Sequence, residues 1–240
     1  MGTVDIKHFY TNIEGWFFAE DVYSDAVREA GDGAHFVEIG SWKGKSTSFM
    51  ATEIANSGKR IQFDCVDHWK GSLNANEYHK DDPDVKNGTL FETFKKNISP
   101  VERYVNPIVS DSVKAASLYK DASLDFIYID GAHDYESVKA DILAWLPKLK
   151  PDGMITGDDF TQSWPDVMRA VTEIFGDKIE VSGPTWIVDR RNKKPRTYDV
   201  ILRTHSGLNV HTGTRFVSVT KTELIFRCLQ SLVTSLNVAK

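Results

Sequence analysis

Apolar positions recur along the chain in two alternating rhythms. Ile13, Phe17, Phe18, Val22 and Val27 fall at roughly helical spacing and predict an amphipathic helix within residues 10–30. Gly31-Asp32-Gly33 ends it, and His35–Ile39 follows as a short apolar run stopped by Gly40, the pattern of a buried strand. Lys45 to Asn56 then reads as a helix with Phe49, Met50, Ile54 and Ala55 inward. The alternation continues. Strands are predicted at Ile61–Val66, Tyr104–Val109, Leu124–Ile129 and Gly153–Thr156, and helices on the stripes Leu90/Phe91/Phe94/Ile98, Val113–Tyr119, Val138/Ile142/Trp145/Leu149 and Val167/Val171/Ile174. Residues 70–88 are polar without a clear period and read as a long loop.

Strands alternating with helices over 35–188 imply an α/β domain. Its sheet is doubly wound, mostly parallel and seven-stranded, with both faces covered. Two last short strands, Lys178–Val181 and Thr185–Val188, have only Gly183-Pro184 between them and read as an antiparallel edge hairpin. After Asp189 the composition shifts, with five bases among Arg190–Arg196. The expected organisation is an N-terminal helical cap (1–31), the α/β domain (32–189), a basic linker (190–197) and a C-terminal extension (198–240). The extension carries strand-like runs and a helix stripe from Leu224 to Leu236.

Composition narrows the class. Apolar residues are 41% and charged residues 26%, ordinary for a globular chain. Lys plus Arg number 29 against 34 Asp plus Glu, a net charge of −5 that argues against a general nucleic-acid binder. No apolar run reaches the roughly 20 residues of a membrane span, and the opening has no signal-peptide pattern. Two cysteines, Cys65 and Cys228, make no disulfide framework. The expectation is a cytoplasmic protein with no membrane and no nucleic-acid partner.

Four segments carry chemistry. In Val37–Thr47 a strand runs into Gly40 and then a helix N-terminus, a place that favours an anionic group. Gly40…Gly44-Lys45-Ser46 has three residues between its glycines where a phosphate-binding P-loop has four. The dinucleotide fingerprint is broken by Trp42. Glu38, ending the strand, suits a ligand with a positive or hydroxyl-rich face, and S-adenosylmethionine (SAM) offers an ammonium, a sulfonium and a ribose. Asp67, in Cys65–Trp69, is placed for ribose hydroxyls; Trp69 either covers a base or packs. Ser110-Asp111-Ser112 offers short polar groups for an adenine edge and, equally, a helix cap. Asp130 is delivered to the sheet's carboxyl edge with His133 on the same turn, and Asp158-Asp159 ends the next strand. Three converging carboxylates suit a hard cation such as Mg²⁺. His133 suits a general base.

Together Val37–Thr47, Asp67-His68-Trp69, Asp125–Asp141 and Gly153–Phe160 resemble class I SAM-dependent methyltransferases, in particular the methyltransferase domain 24 group, related to metal-dependent sugar and macrolide O-methyltransferases. The resemblance covers about residues 12–189, and the Glu38–Gly44 loop is also similar to that of catechol O-methyltransferases. It implies SAM contacts at Glu38, Gly40, Ser41, Trp42 and Ser46, with the ribose at Asp67 in the His68-Trp69 segment, and adenine contacts at Ser110, Asp111 and Ser112; Asp130 is expected to touch the cofactor too and to serve with His133 in catalysis. In metal-dependent members the acids matching Asp130, Asp158 and Asp159 bind Mg²⁺, and in some sugar-modifying members the residue matching His133 is the base. Many domain-24 members carry His where this chain has Asp158. The tail resembles the start of a nucleotide-sugar glycosyltransferase. The expectation is therefore Mg²⁺-dependent O-methylation of a hydroxyl on a sugar, glycan or other small molecule. The alternatives are a metal-independent methyltransferase and a non-catalytic SAM- or nucleoside-binding module attached to a glycosyltransferase. The extension is a candidate for homo-oligomer contacts or for a fused glycosyltransferase domain. Trp16-Phe17-Phe18 and the 70–88 loop, with Tyr78 and His79, are candidate lids.

Overall fold

The computed structural model describes residues 5–71 and 81–189. The readings of the basic linker, the C-terminal extension, Tyr78 and His79 lie outside the described residues.

The elements in chain order are α1 (Glu20–Glu29), β1 (His35–Ile39), α2 (Lys45–Ser57), β2 (Gln62–Asp67), α3 (Pro83–Asn87), α4 (Leu90–Ile98) and β3 (Asn106–Val109). There follow α5 (Ser112–Ala116), β4 (Leu124–Ile129), α6 (Tyr135–Trp145), β5 (Leu149–Gly157), α7 (Pro165–Phe175), β6 (Glu180–Ser182) and β7 (Thr185–Asp189). Among the described residues they make one seven-stranded sheet in the order β3-β2-β1-β4-β5-β7-β6. β3, β2, β1, β4 and β5 pair in parallel; β7 runs antiparallel between β5 and β6. The closing hairpin is thus at the edge, as the turn chemistry of Gly183-Pro184 implied.

Alternation along each strand divides the core into two layers. Phe36, Phe63, Phe126 and Tyr128 pack with Tyr23, Met50 and Phe94 on one face, against α1, α2 and α4. Val37, Val66, Ile127 and Ile155 pack with Ile142, Trp145 and Val171 on the other, against α6 and α7. Helix starts are written in sequence: Asp134 accepts from Ser137 N at 3.0 Å, Asp82 accepts from Asp84 N at 2.8 Å, and Pro165 opens α7.

The expected helix over 10–30 is overturned in its first half. It begins only at Glu20, after a 3₁₀ turn at Tyr10–Asn12 and an irregular strap. Gly15 takes φ +128, and its carbonyl accepts from Lys45 Nζ at 2.8 Å. Ile13 and Phe17 are buried from this strap and imitate helical spacing, whereas Phe18 is exposed. Two further differences are local. A 3₁₀ turn at Ser99–Tyr104 delays β3 to Asn106, and the 70–88 loop holds a one-turn helix, α3.

Candidate active site

The sheet ladder runs one residue past each central strand and sets the site's floor. Gly40 N donates to Val66 O at 2.9 Å, Asp130 N to Ile39 O at 2.8 Å and Asp158 N to Ile129 O at 3.1 Å. Gly40, Asp130 and Asp158 therefore stand side by side at the carboxyl edge, where open α/β sheets bind ligands. They line a cleft of about 1080 Å³, room for a nucleoside-sized cofactor together with a second small molecule.

The β1–α2 turn forms one wall. Gly40 has φ +86, and a Cβ there would lie 1.8 Å from Asp130 O, so only glycine fits. Trp42 takes the left-handed region at φ +41, held by its N–H donating to Asp67 Oδ2 at 2.9 Å. α2 opens at Gly44 with no side-chain cap and no acid in its first turn, which leaves a positive helix end at the cleft. Gly40, Ser41, Trp42 and Ser46 line the cleft.

Glu38 has another place. It is fully buried, receiving Tyr23 Oη at 2.9 Å and Ser41 Oγ at 2.9 Å together with the Thr47 hydroxyl, and it does not line the cleft. Burial pushes its carboxyl up, against the pull of hydroxyl donors from Thr47, Ser46, Tyr23 and Ser41. It acts as a brace under the turn rather than a ligand contact. Trp69 is corrected likewise: it is 5% exposed, packs against Phe91 and Phe94, and its Nε1 donates to Trp42 O at 2.9 Å. It packs and does not cover a base.

Asp67 lies at the cleft with both oxygens oriented by backbone N–H groups, Oδ2 by Trp42 and Oδ1 by Trp69 at 2.7 Å. His68 lines the cleft beside it, its Nδ1 accepting from Lys70 N at 3.0 Å. Ser110, Asp111 and Ser112 line the cleft beyond, and Asp111 also caps α5. The capping reading of that segment holds.

The acid–histidine group lies past β4 and β5. Asp130, His133 and Asp159 each offer a ligating atom, all within 4.8 Å of one another. His133 Nε2 meets Asp159 Oδ2 at 2.7 Å, and its ring stacks on Trp164 at 4.2 Å and 22°. Asp159 itself is strained, at φ +63, the kind of backbone cost that persists where surrounding structure imposes it. Of the expected set Asp130, Asp158 and Asp159, the structure brings Asp130 and Asp159 together with His133, while Asp158 lines the cleft beside them, largely buried, with its Oδ1 accepting from Asp159 N at 2.9 Å. Burial, then the neighbouring Asp158 and Asp159 charges, hold the Asp130 carboxyl well above its usual range; burial raises Asp158 to about 6. Crowded oxygen donors of this kind fit a hard divalent cation.

Three parts of the site escaped sequence reasoning. Asp141 is a buried acid on the inward face of α6, bonded to the Ser112 hydroxyl, and it lines the cleft. Its signal was legible: a carboxylate interrupting the apolar stripe Val138/Ile142/Trp145. Trp164 gave no signal, because its role depends on the ring it stacks on. Lys43 is buried and joins the strap to α3 through Glu14 Oε2 at 2.8 Å and Asp82 Oδ2 at 2.6 Å, partners remote in sequence.

Asp141 yields a pH prediction. Burial raises its carboxyl from 3.8 to about 6, so the native state binds the proton more readily than the unfolded chain. The stability it contributes is present below pH ~4 and is lost as pH rises to ~6. The ionised carboxyl then costs about 3 kcal/mol at neutral pH, from the two-unit shift. Asp141→Asn is expected to raise the urea midpoint at pH 7.5 and leave it unchanged at pH 4. Equal midpoints at pH 7.5 would remove the burial argument.

Comparison with known proteins agrees with this geometry. The uncharacterized protein y4gI of Sinorhizobium fredii is 25% identical over 123 residues, 51% of this chain. The chain spans only about 13% of the length of that curated relative. A calicheamicin methyltransferase superposes with a TM-score of 0.51 at 14% identity, over 71% of this chain and 77% of that one. The O-methyltransferase NovP superposes with a TM-score of 0.50 at 16% identity, over 72% and 79%. These likenesses show a shared fold. A family model described as a methyltransferase domain matches residues 37–160, from the middle of β1 to the loop after β5, and so takes in every strand end that builds the cleft. On that match, over half of its length, the chain belongs to the methyltransferase-domain family.

Proposed function

We propose that the protein is a SAM-dependent O-methyltransferase acting on a hydroxyl of a sugar, glycan or other small molecule. The observation that carries this reading is the juxtaposition, in one cleft, of the Gly40 turn and Asp67 with the Asp130–His133–Asp159 group. SAM, when bound, would supply a methyl group on its sulfonium, with the thioether sulfur as the leaving group. The chain's residues position and deprotonate. The first turn of α2 receives a carboxylate, and Asp67 accepts from ribose hydroxyls through oxygens already oriented by two N–H groups. The His133 imidazole takes the acceptor's hydroxyl proton, and Asp159 balances the imidazolium that results.

Asp130 and Asp159 are the residues that would hold Mg²⁺, which would offset their mutual repulsion and supply Lewis-acid help to the acceptor's deprotonation. A metal-independent reaction is the second reading. The 2.7 Å His133–Asp159 pair favours it, because a base with its orienting acid is already complete without a cation.

Calorimetric titration with SAM, with and without Mg²⁺ and again with chelator, tests both. Micromolar SAM binding and a separate Mg²⁺ signal lost in Asp159→Ala is the expected result. Turnover undiminished by chelator would select the metal-independent reading. No SAM binding in any condition would overturn the methyltransferase reading.

A further inference from the structure

We propose that this cleft accepts an uncharged, hydroxyl-bearing ring, held by its apolar face on Trp16 and Phe18 and not by an anionic handle. The inference rests on the methyl-transfer reading and names the class of the second substrate.

Two independent observations carry it. The first is the aromatic wall. Trp16 and Phe18 each remain 61% exposed, yet both line the cleft. Large apolar side chains left in water together at a concavity mark a ligand surface. Their placement is fixed by the strap. The Lys45–Gly15 bond holds it, and Trp16 lies nearly parallel to Trp42 at 6.2 Å and 14°. Phe17, between them, points into the core, so the neighbouring side chains are turned out toward the cleft. Trp164, stacked on His133, adds a flat surface beside the acid–histidine group.

The second observation is charge. Among the described residues, seven aspartates line the cleft against one lysine and no arginine. That lysine, Lys45, is bound to the Gly15 carbonyl. Proteins grip phosphate and carboxylate with Arg, Lys or a helix N-terminus. Of the helix N-termini at the cleft, α2 is taken by the cofactor carboxylate in the reading above, α5 and α6 are capped by the carboxylates of Asp111 and Asp134, and α7 carries Asp166 in its first turn. A divalent cation on Asp130 and Asp159 leaves the wall net negative. With that cation in place the described lining still carries five further aspartates, so a phosphorylated or carboxylated acceptor meets more repulsion than attraction, whereas a neutral ring loses nothing and gains aromatic contact.

The chemistry shared by a neutral glycoside and a neutral phenol meets these terms, and matched probes separate the two sources. Methyl glucoside is set against glucose 6-phosphate and a uridine-diphosphate sugar, and catechol against protocatechuate. Ring binding to the whole chain is read by saturation-transfer NMR, and SAM binding is read separately by calorimetry. Binding of a neutral member, with its charged counterpart bound at least about tenfold more weakly, is the expected result. Trp16→Ala and Phe18→Ala are each expected to weaken the neutral ring about tenfold, with the melting temperature unchanged because both side chains are exposed. Trp16→Phe should keep most of the affinity. Equal or tighter binding of the charged member, no binding of any neutral ring, or ring affinity unmoved in both alanine variants would overturn the proposal. Failure of SAM to bind would instead strike the methyl-transfer reading, and the two failures are read in different channels.

Discussion

Gly40→Ala is expected to abolish SAM binding and to lower the melting temperature by roughly 10 °C. The added Cβ would lie 1.8 Å from the Asp130 carbonyl oxygen and 2.5 Å from its carbon, both backbone atoms with no rotamer to retreat into. Gly40 also sits at φ +86, where an L side chain costs about 1–3 kcal/mol by itself. Overpacking of a dense interior adds about 1–3 kcal/mol more. Several kcal/mol in a domain of this size corresponds to about 2–4 °C each. The only relief is to move the β1 end away from β4, and that breaks the ladder bond from Asp130 N to Ile39 O that sets Gly40 beside Asp130. Thermal unfolding and calorimetry together check it. A variant that melts with the parent and binds SAM normally would refute the close approach of the two strand ends.

The second large effect is expected at His133. His133→Ala should lower the rate of methyl transfer by about 10²–10⁴-fold, the range for loss of a positioned general base. SAM affinity should stay within a few-fold, because the residues placed around the cofactor are on other strand ends. Asp159→Asn should reduce the rate by less than His133→Ala, since the imidazole remains but loses the partner 2.7 Å away that orients it and balances its charge. Single-turnover kinetics with a working acceptor measures both. Unchanged turnover in His133→Ala would remove the base assignment and turn attention to Asp130. If Asp159→Asn exceeded His133→Ala in effect, metal holding would outweigh proton transfer at this site.

Among the described residues no helix is long and apolar enough to cross a membrane. This agrees with the absence of a spanning run in the sequence.

The strand–helix alternation was legible because burial on both faces demands continuous apolar runs such as Phe126–Ile129, bounded by Gly or polar turns. The strand-end acids were legible for a related reason. A carboxylate closing an apolar strand has one place to go, the sheet's carboxyl edge. Periodicity failed in the strap, where Ile13 and Phe17 reach the core without a helix.

The sequence by itself determined the doubly wound sheet, the closing hairpin and the residue types at the cleft: Gly40, Asp67, Asp130, His133, Asp158 and Asp159. Those follow from local rules, because hydrophobic period and turn chemistry act over a few residues. Only the tertiary structure decided which of these groups face the cleft. Glu38 and Trp69 turn inward to brace the turn, Asp158 lines the cleft while accepting from Asp159 N, and His133 meets Asp130 and Asp159 there. Trp164, Asp141 and the Lys43 ion pairs join the site or its supports from segments far apart in the chain. The physical reason is that a side chain's direction is set by the partner that satisfies it. Tyr23 for Glu38, Trp42 for Trp69 and Trp164 for His133 come from other elements and are in reach only once strands and helices are assembled.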